Sequence, residues 1–422
     1  MSVLKGDIHV ELLENKKGCI SFVVRASADL EKYFLTDKFR IEYDKDVEDV
    51  SESILYVPVV ANLVTLSWAT GADLHVPELD ETFAGSLEKV KSVMQAWFPG
   101  FSFGGRLYAG RLVRNHFGNR GSAQLFTAGI DSLATYARHR DEKPDLVYFG
   151  VNRPWDTALD DLVFKEIAGF AQKEGTGLHR IISNMHVKFF DHLRLYADFC
   201  GDLTGHSWWA NVQHGLSLLS MCAPLTAIRD IQTVYIASSA TRAPSHSLDV
   251  PWGSHPLVDN SIAWADVKGA HDGESLSRQE KIRYEIKPFI ERTGNYPRLV
   301  ICNEAERGNA INCGRCEKCC RTIVGLALEG IDPNRCGFEV DGRTFGRIRR
   351  KLLLRPLHFA DTVPGMWKDL QRAIPESIAY DLYGSKKFFE WLRTYELSDI
   401  VDKKETFSRR FLMKCLRLGM IP

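Results

Sequence analysis

Four cysteines near the C-terminal third of the chain have the spacing of a metal site. They are Cys302, Cys313, Cys316 and Cys319. Four thiolates on a short knuckle, with Gly314 permitting the turn, suit tetrahedral Zn²⁺. An iron–sulfur cluster is the alternative, because the C-x2-C-x2-C spacing also suits cluster ligation. We expect Zn²⁺ in a closed, structural site, with Cys320 as a spare thiol that could replace Cys319.

A second group of residues is suited to binding phosphate. An apolar run ends at Phe126, and a helix-like pattern begins after a short turn. The first amides of a helix have no intrahelical partner, and the helix dipole favours an anion there. The candidate residues are Thr127, Ala128, Gly129, Ile130, Asp131 and Ser132. Hydroxyls of Thr127 and Ser132 can donate to phosphate oxygens. An ordinary strand–turn–helix corner is the alternative.

The elements that would position this loop are alternating strands and helices. Strand-like segments begin near residues 123, 146, 180 and 233, with helical segments between them. Such alternation predicts an α/β fold with a parallel sheet covered by helices on both faces. Ligands then bind beyond the carboxyl ends of the strands. Asn152 follows the second strand and could hold an adenine ring, and Arg242 follows the fourth and could pair with phosphate. Capped, solvent-facing loops are the alternative for both.

Two cations further along the chain are spaced to share one helix face. Ser277 and Glu280 have the spacing of a capping box, so a helix is expected to begin there. Arg278 and Lys281 would then lie three residues apart, facing either an anion or solvent. The preceding segment, 271–274, is expected to form a turn.

Residues 1–115 are expected to form a separate β-rich recognition or scaffold module. Strand-like patterns include Phe39–Tyr43 and Leu63–Trp68, and a helix is expected from Phe83 to Trp97. An acidic run from Asp73 to Glu81 is expected to be a solvated surface. The remaining domains are expected at 116–300, an ATP-binding α/β domain, and 301–422, the cysteine knuckle with a helical C-terminal region.

Composition narrows the class of protein. The chain has 422 residues, with 54 Lys and Arg against 54 Asp and Glu. A neutral balance argues against a general nucleic-acid-binding surface. The N-terminus lacks a signal peptide, and no apolar run approaches the length of a membrane span. We therefore expect a cytoplasmic protein without membrane partners.

The two motifs together resemble a known family. The residues Thr127–Ser132 resemble the Ser-Gly-Gly-x-Asp-Ser loop of the N-type ATP pyrophosphatases, or PP-loop enzymes, departing at Thr127 and Ala128. A PP-loop domain followed by a cysteine and then Cys-Gly-x-Cys-x-x-Cys is similar to 7-cyano-7-deazaguanine synthase and its relatives. The resemblance covers roughly residues 120–325 and leaves both flanks without a counterpart. It implies that the four cysteines hold zinc beside the active site, and that Lys281 matches a family lysine.

The resemblance implies ATP-dependent adenylation of a deazapurine carboxylate such as 7-carboxy-7-deazaguanine, with Mg²⁺ on the phosphates. An amine then attacks the acyl-adenylate, giving an amide or nitrile and releasing AMP and pyrophosphate. Asp131, Ser132 and Lys281 would be catalytic. Relatives with extra domains occur in anti-phage operons, so the acceptor could be a protein amine held by the N-terminal module. The alternatives are tRNA modification and a non-catalytic nucleotide-binding scaffold. A homodimer is also expected.

Overall fold

The computed structural model describes residues 6–151, 157–200, 207–241, 248, 251–302, 311–354 and 363–397. It divides into two compact units. The first comprises residues 1–127, 138–238 and 248–274, and the second comprises residues 128–137, 239–247 and 275–422. The three-part division expected from the sequence stays a prediction.

The first unit is built on one sheet of eleven strands. They are β1 Asp7–Lys16, β2 Cys19–Ala26, β3 Lys38–Tyr43, β4 Asp73–Asp80, β5 Leu107–Val113, β6 Ser122–Leu125, β7 Asp145–Val151, β8 Leu178–Ser183, β9 Thr233–Ala237, β10 Ala263–Trp264 and β11 Val267–Asp272. The spatial order is β10-β11-β9-β6-β7-β8-β3-β2-β1-β4-β5. The run from β11 to β8 is parallel throughout. The expected α/β class with a mostly parallel sheet is therefore confirmed, and the PP-loop fold stays a prediction.

Strand β3 joins the N-terminal strands to the parallel run. It pairs antiparallel with β8, with Ile41 opposite Ser183 and Tyr43 opposite Ile181. The sheet then continues through antiparallel β2 and β1 before parallel β4 and β5. Buried and exposed residues alternate along β1, so one face of these strands packs on the core and the other meets solvent.

Helices of the first unit pack against this sheet and one another. They are α1 Ala28–Glu31, α2 Glu52–Thr70, α3 Glu81–Trp97, α5 Thr157–Glu174, α6 His192–Phe199, α7 His214–Ser220, α8 Ala223–Ile228 and α9 Pro256–Asp259. Helix α4, Ile130–His139, belongs to the second unit up to Ala137. The expected helix near Phe83–Trp97 is confirmed as α3.

The expected strand at Leu63–Trp68 is wrong, because these residues lie in α2. Residues 53–70 of this helix are all buried, so no polar face marks a helical period, and its many valines resemble a strand. Helix α2 is also long and apolar enough to cross a membrane by length and composition, while its whole apolar window is buried inside the fold. The expectation that no apolar run approaches the length of a membrane span is therefore wrong, because α2 reaches that length.

Two further expectations are corrected in the first unit. Asp80 of the acidic run is fully buried and not solvated, because its carboxylate accepts hydrogen bonds from the amides of Phe83 and Ala265 and from the Asn115 side chain. His271 and Asp272 end a strand, β11, and do not form a turn. Residues 268–272 pair with β9, and only Val267 and Lys268 pair with β10. The strand VKGAHD contains few residues with a high β-propensity, which explains why its pattern was missed.

The second unit is helical in its described parts. After the N-terminal end of α4 it contains α10 Arg278–Lys281, α11 Lys287–Thr293, α12 Glu317–Leu328, α13 Thr344–Leu354, α14 Val363–Arg372 and α15 Ser385–Thr394. A single π-helical turn, Ile282–Ile286, joins α10 to α11 without a break. The expected capping box is confirmed: Ser277 and Glu280 exchange hydrogen bonds at the start of α10. This cap fixes the direction of the two cations in the first turn.

Candidate functional site

The loop from 127 to 132 forms the predicted connection from a strand to a helix. Strand β6 ends at Leu125, and α4 begins at Ile130. Within the second unit, the carbonyl of Gly129 accepts hydrogen bonds from the Leu133 amide at 2.9 Å and from the Ser132 hydroxyl at 3.2 Å. The loop is therefore an ordered helix start whose first amides point away from the helix.

Ala128 holds a left-handed backbone conformation, with φ at +55°. Its carbonyl accepts a hydrogen bond from the Val300 amide at 2.9 Å, and its side chain is buried. A residue with a Cβ is strained in this conformation by roughly 1 kcal/mol, and glycine is not. The turn thus keeps a glycine-type conformation at the position where the sequence departs from Ser-Gly-Gly-x-Asp-Ser.

We expect the Ala128→Gly variant to be more stable than the parent by about 1 kcal/mol, because glycine relieves the left-handed strain. Urea unfolding of the two proteins measures this difference. Ala134→Gly in the buried interior of α4 is the matched control, expected to lose about 1 kcal/mol through helix propensity. A loss of stability in Ala128→Gly would contradict the strain argument.

Asp131, in the first turn of α4, is held by two cations of α10. Its carboxylate lies 3.2 Å from the Lys281 ammonium, and the Arg278 guanidinium contacts both of its oxygens. Lys281 is 2% exposed. The two cations expected to share a helix face therefore do meet an anion, and that anion is the chain's own carboxylate. The 147 residues between Arg278 and Asp131 explain why the sequence did not pair them.

The charges in this cluster are strongly coupled. Burial by itself would raise the pKa of Asp131, but Arg278 and Lys281 outweigh burial and hold that pKa well below its usual range. Burial would lower the pKa of Arg278, and Asp131 raises it instead. The Asp131 carboxylate and the Arg278 guanidinium are therefore charged at neutral pH.

Two more cations lie in α12 of the same unit. Burial lowers the pKa of Lys318 and of Arg321, and the nearby Arg278 lowers both further. Arg321 also pairs with Glu317, whose carboxylate accepts a hydrogen bond from the Trp367 indole at 2.9 Å. Arg278 therefore repels both of these cations electrostatically. The sequence signal for this pair was the i,i+3 spacing of Lys318 and Arg321 within and just after the cysteine run, and it was missed.

A small pocket of the second unit opens beside Arg278 and Lys281. The polar residues Ser239 and Thr241 line it, together with Gln279 and Asp369. Its apolar lining is Ala240, Leu276 and Met366. The pocket therefore has hydroxyl groups next to fixed cations. Asn152 and Arg242 lie outside the described residues, so their expected roles stay predictions.

The four predicted metal ligands come together in the second unit. The sulfur atoms of Cys302, Cys313, Cys316 and Cys319 all lie within 4.8 Å of one another. The Cys302 and Cys316 sulfurs are 3.9 Å apart, and Zn–S bonds of about 2.3 Å in a tetrahedron would set about 3.8 Å. This spacing matches thiolates around one ion, so the cluster can hold a metal such as Zn²⁺. An iron–sulfur cluster would hold its thiolates farther apart.

Backbone amides donate hydrogen bonds to sulfurs of the cysteine cluster. The amides of Arg315 and Cys316 point at the Cys313 sulfur at 3.5 and 3.2 Å. Gly314 provides the turn with φ at +65°. Cys316 caps the N-terminus of α12 by accepting from the Cys319 amide. Hydrogen bonding by Cys319 lowers the pKa of the Cys316 thiol to about 5, despite burial, so this ligand is ready to bind as a thiolate.

Cys320 is a neighbour of the metal cluster and not a member. Its thiol is directed at the Arg315 carbonyl at 3.5 Å, and burial raises its pKa to about 12. The expectation that Cys319, with Cys320 in reserve, completes the four is therefore confirmed in geometry.

The site thus combines a helix-start loop, a partly buried carboxylate with two cations, a polar pocket and a four-cysteine cluster in one unit. Comparison of the chain with family models, with curated proteins and with solved structures finds no match.

Proposed function

We propose that the protein adenylates a deazapurine carboxylate such as 7-carboxy-7-deazaguanine with ATP, and then joins the acyl group to an amine. The observation that carries the proposal is the cluster of Asp131, Arg278 and Lys281 at the N-terminal end of α4. Helix-start amides and fixed cations at one place are what a bound triphosphate requires. The resemblance of the loop and the cysteine knuckle to 7-cyano-7-deazaguanine synthase supplies the substrate class.

In the proposed reaction a carboxylate oxygen of the substrate attacks the α-phosphorus of ATP, and pyrophosphate leaves. The amine nitrogen then attacks the acyl carbon, and AMP leaves with the bond to the carboxylate oxygen. Lys281 and Arg278 would stabilise the negative charge that develops on the phosphates, and Mg²⁺ would supply further charge neutralisation there. Asp131 positions both cations, because it contacts each of them directly. Ser132 and Thr127 offer hydroxyls to the phosphates.

The polar pocket next to the cations is the candidate position for a polar edge of the substrate. Hydroxyls of Ser239 and Thr241 line it and could bond a purine-like edge. A four-thiolate zinc leaves no coordination position open, so the metal stabilises the fold around α12 and takes no part in the chemistry. Lys318 lies between the ligands Cys316 and Cys319, and Arg321 lies two residues after Cys319, so a bound metal would fix the helix that carries both cations.

The proposal has two forms, which differ in the amine that accepts the acyl group. Ammonia would give an amide, and a second ATP would adenylate the amide oxygen, which leaves with AMP while the nitrogen loses two protons to give a nitrile. A protein amine would instead attach the deazapurine to a partner through an amide bond. The N-terminal strands and helices have no counterpart in the short biosynthetic enzyme, which favours a protein acceptor docked on that part of the chain.

The deciding experiment incubates the full chain with ATP, Mg²⁺ and 7-carboxy-7-deazaguanine and measures AMP and pyrophosphate. We expect both products only when the carboxylate is present, with guanine as the control that lacks it. ATP binding without AMP formation across a panel of deazapurine carboxylates would refute adenylation and support a nucleotide-binding scaffold. Addition of labelled ammonia or of co-expressed partner proteins, followed by mass spectrometry, identifies the acceptor.

A further inference from the structure

Three side chains of types that can bind a metal come together in the first unit, and they are far from the four cysteines in the sequence. Asp7 and His9 belong to β1, and His75 belongs to β4. One ligand atom from each lies within 4.8 Å of the other two. From this group we propose a second metal site, which binds a first-row divalent ion such as Zn²⁺ or Ni²⁺.

The register of the sheet brings the three side chains together. Strands β1 and β4 are parallel, and His9 lies directly opposite His75. Side chains two apart on a strand share a face, so Asp7 joins His9 on the solvent side, while Ile8 and Val10 point into the core. Neighbouring strands hold these positions at a fixed spacing, which gives the site a rigid scaffold.

Their geometry is close to that of a bound ion. The rings of His9 and His75 stack at 4.5 Å, and His75 Nε2 lies 2.9 Å from a carboxylate oxygen of Asp7. Metal–ligand bonds of about 2.0–2.2 Å would place tetrahedral ligand atoms about 3.4 Å apart. Side-chain rotations alone can produce that separation. Tyr108 of β5, directly opposite His75, stacks on its other side at 4.9 Å and limits the orientation of that ring.

The ligand types define which ions fit. Two imidazoles and one carboxylate suit Zn²⁺, Ni²⁺ and other borderline ions better than Mg²⁺ or Ca²⁺. All three side chains are at least partly exposed, so an ion can reach them and retain water in its remaining positions. The site differs from the cysteine cluster in its ligands, and the two can therefore be loaded separately.

The test uses full-length protein whose cysteine cluster has first been filled with Zn²⁺ and whose excess metal has been removed. Calorimetric titration with Ni²⁺ is expected to show one binding event per chain beyond the cysteine site. His9→Ala and His75→Ala should each weaken Ni²⁺ binding by roughly tenfold or more, because each removes one of the imidazoles that Ni²⁺ prefers.

His116→Ala is the matched control. His116 is also an exposed histidine beside an aspartate, 3.0 Å from Asp266, but no second histidine shares its group among the described residues. Its Ni²⁺ affinity should equal that of the parent. Circular dichroism before titration shows whether each variant is folded. Unchanged Ni²⁺ affinity in the folded His9→Ala, His75→Ala double variant, or no binding by the parent at 100 μM Ni²⁺ (roughly the level that a weak three-ligand site requires), would overturn the proposal.

Discussion

The Cys316→Ser variant is expected to lose its chelator-resistant zinc and most of the stability of the second unit. Cys316 is both a member of the four-cysteine cluster and the N-cap of α12, and its sulfur lies 3.9 Å from that of Cys302. Structural zinc contributes on the order of 10 kcal/mol to small domains, so losing one of four thiolates should cost several kcal/mol. Metal analysis after dialysis against a chelator and thermal unfolding measure the two effects.

Cys320→Ser is the matched control for this variant. Cys320 lies four residues further along the chain, is also buried, and has its thiol directed at a carbonyl instead of the cluster. We expect the control to retain zinc and to unfold near the parent temperature. Retention of zinc by Cys316→Ser, or its loss from Cys320→Ser, would show that the four ligands are assigned wrongly. A brown protein with an iron signal would also refute the single-ion assignment.

The second large effect is expected from Lys281→Met, which should lower kcat/KM for AMP formation by about 10²–10³-fold. Methionine keeps the length of the side chain and removes the charge that would stabilise the phosphates. The substitution also leaves Asp131 with Arg278 as its described cation partner, so we expect a measurable loss of stability as well. Steady-state kinetics and ATP affinity are therefore compared at a temperature where both proteins are folded.

Lys287→Met provides the control for charge and side-chain type. Lys287 begins α11 on the same continuous helical segment, but its ammonium lies 5.2 Å from the Tyr380 ring and away from the Asp131 cluster. Its activity should stay within about twofold of the parent, as for most surface substitutions. Equal activity of Lys281→Met and Lys287→Met would exclude Lys281 from the phosphate site, whichever substrate the protein uses.

Local patterns in the sequence predicted several elements correctly. The alternation after residue 122 predicted the parallel strands β6 to β9, because regular apolar runs between helical segments reflect local burial. The capping box at Ser277 and the cysteine spacing are also local, and both are confirmed. Each of these signals depends on residues that are close in the sequence, within one helical turn for the capping box and within one short cysteine-rich segment for the metal site.

Features set by distant partners were not predicted. The sequence pattern of Leu63–Trp68 favours a strand, and only burial on all sides by the rest of the unit makes it helical. The carboxylate of Asp131 could be placed at a helix start, but its cations come from a helix 147 residues later. The sequence shows that Ala128 departs from the family loop, but only the structure shows that its backbone is left-handed, with φ at +55°.

Helix α2 has a consequence for the synthesis of the protein. The Asn62 carbonyl and side chain accept hydrogen bonds from Gln213 and Ser217, which follow it by 151 and 155 residues. A ribosome adds roughly 5–20 residues per second. Synthesis of the residues that hydrogen-bond to this apolar helix therefore follows synthesis of the helix itself by on the order of ten seconds. During that interval the nascent chain presents a segment that resembles a membrane anchor. Holding chaperones should therefore determine how much of the chain reaches its folded state.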